Sequence, residues 1–185
     1  MNRSHLVAGG LLATLCLLIP AAAGIPQSTG ATALTAAGSD GPSTRRLDKQ
    51  VVVDGTLEDI WRCWTTSEGI ASFFTPQSRI DLRPGGPYEL YMGMNAPDAS
   101  GLRGSQGCCV LSLIPMEMLA FEWNFPPAIM TLRKAGAKTQ VVLRFDDQGG
   151  CVRVRFSQIG WKQGEDWDAG YAYFDRAWDW VLTSL

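Results

Sequence analysis

The only histidine in the 185-residue chain is His5, and it lies in a segment expected to be cleaved away. Without it the chain has no imidazole for Ser-His-Asp or Cys-His catalysis and none to ligate a metal. Carboxylate, Tyr, Lys and thiol chemistry remain. Glu89 and Glu122 each fall in a stretch read as a strand, and two carboxylates can share acid and base roles. Both alternate with the apolar residues of their strands, which places them on the solvent face. No catalytic residue is assigned on that ground. Arg144, Arg153 and Arg155 form a basic stripe on a predicted hairpin, read as a solvated face crossed by ion pairs.

Cys63, Cys108, Cys109 and Cys151 show no C-x-x-C or metal-ligand spacing, so no metal or cofactor is expected. Cys63, between Trp61 and Trp64, reads as a small core residue. Cys108 and Cys109 point to opposite faces of one predicted strand. Four free thiols are the expectation, with one disulfide left open. Gly85-Gly86 lies between Pro84 and Pro87 and reads as a turn, not a phosphate loop.

What the chain has in quantity is apolar surface. Seven Trp, seven Phe and four Tyr supply enough aromatic area to fill a core or line a pocket. The net charge of -2 argues against a nucleic-acid partner, which selects a basic face.

Three segments follow from composition. Residues 1–23 read as a secretory signal peptide, with Arg3 as the charged start, an apolar run from Leu6 to Ile19, and Ala21-Ala22-Ala23 as cleavage site. The run is shorter than the roughly 20 residues that span a bilayer. The mature protein is therefore expected to be secreted or periplasmic, with no membrane attachment after cleavage. Residues 24–44 read as a flexible linker, because 17 of the 21 are Gly, Ala, Ser, Thr or Pro and cannot build a core. Residues 45–185 form one domain of ordinary size.

Within it, Val51-Val52-Val53 ends a first strand. Thr56 caps a helix carrying Leu57, Ile60, Trp61 and Trp64 at helical spacing, and a second short helix carries Ile70, Phe73 and Phe74. Strands are expected over Ser78–Leu82, Tyr88–Met92, Ser105–Ile114 and Leu119–Phe125. Residues 95–104 read as a loop, and residues 126–138 are left open to a further short strand. Val141–Phe145 and Val152–Phe156 make a hairpin. The C-terminal helix starts with Glu165, Asp166 and Asp168 at its positive end. It carries Trp167, Tyr171, Phe174, Trp178, Val181 and Leu185 at steps of four and three. Strand, helices, antiparallel strands and one long helix give an α+β pattern.

Four segments occur in order: Asp81-Leu82-Arg83-Pro84-Gly85-Gly86; Trp61-x-x-Trp64-Thr65 ahead of it; Ile114-Pro115-x-x-x-Leu119; and Gly160-Trp161 through Tyr171-x-Tyr173-Phe174-Asp175-Arg176-Ala177-Trp178. With them residues 46–185 resemble the START/Bet v 1-like (SRPBCC) superfamily, and within it the activator of heat-shock protein 90 ATPase homologue-like branch. The resemblance implies a helix-grip fold, a curved antiparallel sheet wrapped around a long C-terminal helix with a cavity between them. The eukaryotic name-givers of the branch bind a cytosolic chaperone. The cavity, used for apolar small molecules, is the property expected to carry over to an exported chain.

The expected function is binding of an apolar small molecule. The cavity candidates are Trp64 and Phe74 from the first helices, and Leu90, Met92, Trp123, Phe125, Phe145 and Phe156 from the strands. Tyr171, Phe174 and Trp178 join them from the last helix. Two alternatives stand beside it: a cofactor-free cyclase or hydratase working in the same cavity, and an extracytoplasmic protein-interaction module whose partner is not readable.

Overall fold

The structure is a computed structural model that describes residues 44–93 and 95–185. The expected signal peptide and all but the last residue of the expected linker lie outside the described residues. The elements are β1 (Leu47–Asp54), α1 (Leu57–Thr65), α2 (Ser67–Phe73), β2 (Ser78–Ile80), β3 (Tyr88–Leu90), β4 (Val110–Ile114), β5 (Met118–Asn124), α3 (Met130–Lys134), β6 (Lys138–Asp147), β7 (Cys151–Ile159) and α4 (Glu165–Thr183). A single 3-10 turn, Pro127–Ile129, precedes α3.

Five strands make one antiparallel sheet in the order β1-β7-β6-β5-β4. Strands β2 and β3 pair separately and join β4 through a bridge between Pro87 and Cys109. The long helix α4 lies across the concave face. Phe174, Trp178, Val181 and Leu182 are its buried side chains, and Leu119, Phe121, Val141, Leu143, Val154 and Phe156 belong to the same core. This is the α+β pattern that the order of elements implies and the helix-grip fold that the resemblance implies.

Edge strand β1 and the two residues before it tie down the helix from outside the core. Lys49 pairs with Asp175 at 2.8 Å and Asp179 at 2.6 Å, Arg45 pairs with Asp168, and the Tyr171 hydroxyl donates to the Arg46 carbonyl at 3.1 Å. Two threonines start the short helices. Thr56 accepts from the Asp59 N–H and Thr66 from the Gly69 N–H, each satisfying an orphan donor of a first turn.

The hinge between α1 and α2 depends on Gly69. A Cβ there would sit 2.1 Å from the Arg62 carbonyl oxygen and 2.6 Å from Cys63 Cα. Both are backbone atoms that cannot swing away. Gly69→Ala is expected to cost roughly 1–3 kcal/mol, as overpacking of a rigid site does, and thermal unfolding measures it. Unchanged stability would mean that the two helices separate without loss.

Several strand expectations are corrected. The strand foreseen over Ser105–Ile114 begins only at Val110. Gly104 (φ 50°) and Gly107 (φ 81°) take left-handed backbone, and the Cys108 N–H closes a turn on the Ser105 carbonyl at 3.0 Å. The strand foreseen over Tyr88–Met92 ends at Leu90. Met92 itself has φ 45°, which breaks the extended run. Residues 126–138 hold the 3-10 turn and α3, not a strand. Pro126 and Pro127 set the turn, since a proline at the first helical position loses no needed donor. Strand β5 is not half-buried, because Ala120 and Asn124 are buried as well.

Glu89 is also corrected. It is 8% exposed, not solvent-facing, because the 105–109 turn folds over the outer face of β3. Its carboxylate accepts from the Gly107 N–H and the Tyr91 hydroxyl, both at 2.9 Å. Glu89 thus anchors that turn. Cys63 is half-buried and packs on the core rim.

Candidate functional site

A pocket of about 360 Å³ opens beside α4 at the end of β5. The long helix contributes Tyr173, Phe174, Ala177, Trp178, Trp180 and Val181. The end of β5 and the chain after it add Trp123, Asn124, Phe125, Pro126 and Pro127. Phe74, Met92, Gly104, Ser105 and Arg133 complete the wall. A space of this size with a mostly aromatic lining and a few polar groups has the character of a small-molecule site.

Each wall is held by its own physics. The Trp178 ring packs on Phe156 (centroids 4.5 Å apart) and Trp123 (5.1 Å), and its indole N–H donates to Gln158 Oε1 at 2.9 Å. Gln158 in turn donates to Thr139 at 2.8 Å, and Thr139 donates to the Trp123 carbonyl at 3.1 Å. This buried chain ties the Trp178 ring to the backbone of β5. Phe125 meets Phe174, Trp161 and Trp167. Gly170 leaves room for it, since a Cβ there would lie 2.5 Å from the Phe125 ring.

Arg133 secures the far end. It is 2% exposed, yet it carries a charge that burial alone would make costly. Its Nε pairs with Asp98 at 2.6 Å and also donates to Ser100 Oγ at 3.0 Å. Nη1 donates to the Phe125 carbonyl at 2.5 Å, and Nη2 to the Gly104 carbonyl at 2.9 Å. One guanidinium thereby joins the 95–104 loop, the end of β5 and α3. Burial opposes ionisation of Asp98, but hydrogen bonds from Ser100 and the Arg133 charge outweigh it and hold the carboxyl below its ordinary range.

Of the eleven cavity candidates, Phe74, Met92, Trp123, Phe125, Phe174 and Trp178 line the pocket. Trp64, Leu90, Phe145 and Phe156 are core residues away from it. Tyr171 packs on Trp161 at the β1 side of the helix. Sequence reasoning missed Tyr173, Ala177 and Trp180, which follow one another at helical spacing beside Phe174, Trp178 and Val181. That second stripe was legible. Asn124, Arg133 and Asp98 carried no sequence signal, because what pairs the last two is a fold-level approach across 35 positions.

Outside the pocket, Glu122 pairs with Lys138 at 2.5 Å, and the Cys109 thiol donates to the same carboxylate at 3.2 Å. Burial and the Glu122 carboxylate push the Cys109 thiol up, and burial pushes Cys108 up to about 12. Neither is an activated nucleophile at neutral pH. All four described cysteines are free. On the outer face of the sheet, Arg155 pairs with Asp146 at 2.8 Å, as the hairpin stripe implied for that residue.

The sequence pattern of the family described as activator of Hsp90 ATPase homolog 1-like protein matches residues 54–185. No curated protein matches the chain. Among solved structures, the Aha1 dimer from Colwellia psychrerythraea is 18% identical with a TM-score of 0.55, covering 76% of this chain and 92% of its own. Protein MLL2253 from Mesorhizobium loti is 17% identical with a TM-score of 0.57, covering 76% and 93%. Protein BH1534 from Bacillus halodurans is 17% identical with a TM-score of 0.53, covering 77% and 94%. At these identities the likeness speaks for the fold alone.

Proposed function

The chain belongs to the activator of Hsp90 ATPase homolog 1-like family, and from that premise we propose that it binds an apolar small molecule in the pocket beside α4. The observation that carries this reading is the pocket itself, about 360 Å³ with Phe74, Trp123, Phe125, Phe174 and Trp178 in its walls. Aromatic rings locked by mutual packing, with Trp178 also held by a buried hydrogen bond, form a preorganised apolar surface, which lowers the ordering cost of binding. The proposed setting is extracytoplasmic, on the strength of the leader-like pattern over residues 1–23. Export would leave the pocket, and not a cytosolic chaperone partner, as the working feature.

A second reading has one observation in its favour. Trp180 is 63% exposed and Tyr173 38% exposed, both at the pocket mouth, and exposed aromatics of this kind also serve protein contacts. Native mass spectrometry of protein purified from its own host separates the two. A stoichiometric small-molecule adduct on a chain beginning at Gly24 is the expected result. An adduct-free chain that binds no added apolar compound would transfer weight to the interaction reading.

A further inference from the structure

The pocket's polar end says what its ligand must carry, an inference that rests on reading the pocket as a ligand site. Two polar side chains from different elements reach the same carbonyl there. Asn124 Nδ2 donates to the Gly104 oxygen at 3.2 Å and to the Gln106 oxygen at 3.4 Å. Arg133 Nη2 donates to the Gly104 oxygen at 2.9 Å. Those two donors hold the carbonyl, and only glycine fits at this position, because a Cβ on Gly104 would lie 2.0 Å from the Leu90 oxygen.

Those two acceptors decide which way the Asn124 amide faces. The nitrogen is committed to them, so Oδ1 is turned away from both. Among the described residues no group donates to Oδ1. Yet it is not one of the sealed polar atoms that lack a partner, which are Trp64 Nε1 and Ser78 Oγ. An acceptor that is unpaired but still reachable, on a side chain that is 7% exposed and lines the pocket, has the pocket as its open side. Ser105, the neighbouring polar lining group, is already used: its hydroxyl accepts from the Leu90 N–H at 2.7 Å and donates to the Tyr88 carbonyl at 3.4 Å. The charge nearby is spent as well, since Asp98 neutralises Arg133 at 2.6 Å. The end of the pocket therefore offers an acceptor without offering a net positive charge.

We infer that the ligand is an uncharged, largely apolar molecule with one hydrogen-bond donor, a phenolic or alcoholic hydroxyl, which Asn124 Oδ1 receives. An apolar compound lacking it strands a polar atom away from water, and that mismatch is the source of selectivity.

The test uses the intact protein and four matched probes: naphthalene, 2-methoxynaphthalene, 2-naphthol and 2-naphthoate, titrated by calorimetry. The expected result is 2-naphthol bound about tenfold more tightly than 2-methoxynaphthalene, the size of one net hydrogen bond. The Asn124 side-chain amide signal in the nitrogen-15 spectrum should shift with it. Equal affinities for naphthol and its methyl ether would overturn the inference and leave the pocket reading intact. Tightest binding of naphthoate would overturn it too, because the polar end would then be reading charge. Binding of none of the four would remove both the inference and the pocket reading.

Discussion

Arg133→Met is expected to cost about 3–5 kcal/mol, the loss seen when one partner of a buried ion pair is removed. For a domain this size that lowers the unfolding midpoint by roughly 12–20 °C. Methionine fills much of the same volume, so the loss reads the charge and its hydrogen bonds more than packing. Asp98 would be left nearly buried without its counter-charge, and the Phe125 and Gly104 carbonyls would each lose a donor. The same pair sets an acid limit. Asp98 is held below its ordinary value of 3.8. A group with a depressed native pKa contributes stability that is complete above its unfolded value and is lost as pH falls through the native one. Stability should therefore decline below about pH 3.8, and less steeply in Asp98→Asn, which has no carboxyl to protonate. Parallel acid slopes in the two proteins would mean that the pair does not contribute in solution.

The second large effect belongs to Trp178→Ala, at about 5 kcal/mol, the upper end for aromatic truncation. The indole is 1% exposed and touches Phe74, Trp123 and Phe156, so its removal empties the middle of the aromatic layer. It also strands Gln158 Oε1, which would add its own desolvation cost. Trp178→Phe keeps one ring while losing the N–H and part of the indole's bulk, and should cost less, about 1–3 kcal/mol. Chemical denaturation of the two variants gives the comparison. A full loss in Trp178→Ala with almost none in Trp178→Phe would show that packing alone holds the residue and that the Gln158-Thr139 chain adds nothing.

The main elements of the helix-grip fold were legible because their signals are periodic, while the grip itself came from the resemblance. Val141, Leu143 and Phe145 alternate on one strand, and Phe174, Trp178 and Val181 recur on one helix face, so both elements and their apolar sides follow from spacing. Periodicity gives the face and not the height along it. Phe145 and Phe156 share the inward side with Trp123, yet only Trp123 reaches the pocket. Tyr171 and Tyr173 differ by two positions and so sit on different flanks of α4, one against Arg46 and the other at the pocket mouth. Glu89 was misplaced because alternation assumes a free outer face, and a turn built on Gly104 and Gly107 covers it. Arg133 and Asp98 could not be paired from sequence at all. Neither neighbourhood is periodic, and only the fold brings the loop over α3.

The most direct measurement is titration of wild type and Ala177→Trp with the uncharged fluorescent dye N-phenyl-1-naphthylamine. Ala177 lines the pocket at mid-helix, half-buried, so an indole there fills the space while the helix keeps a residue it tolerates. Binding in the pocket requires saturable, one-to-one fluorescence enhancement in wild type and its loss in Ala177→Trp, with both proteins unfolding at similar temperatures. Undiminished dye binding by a folded Ala177→Trp, or no saturable binding by wild type, would contradict a ligand site beside α4.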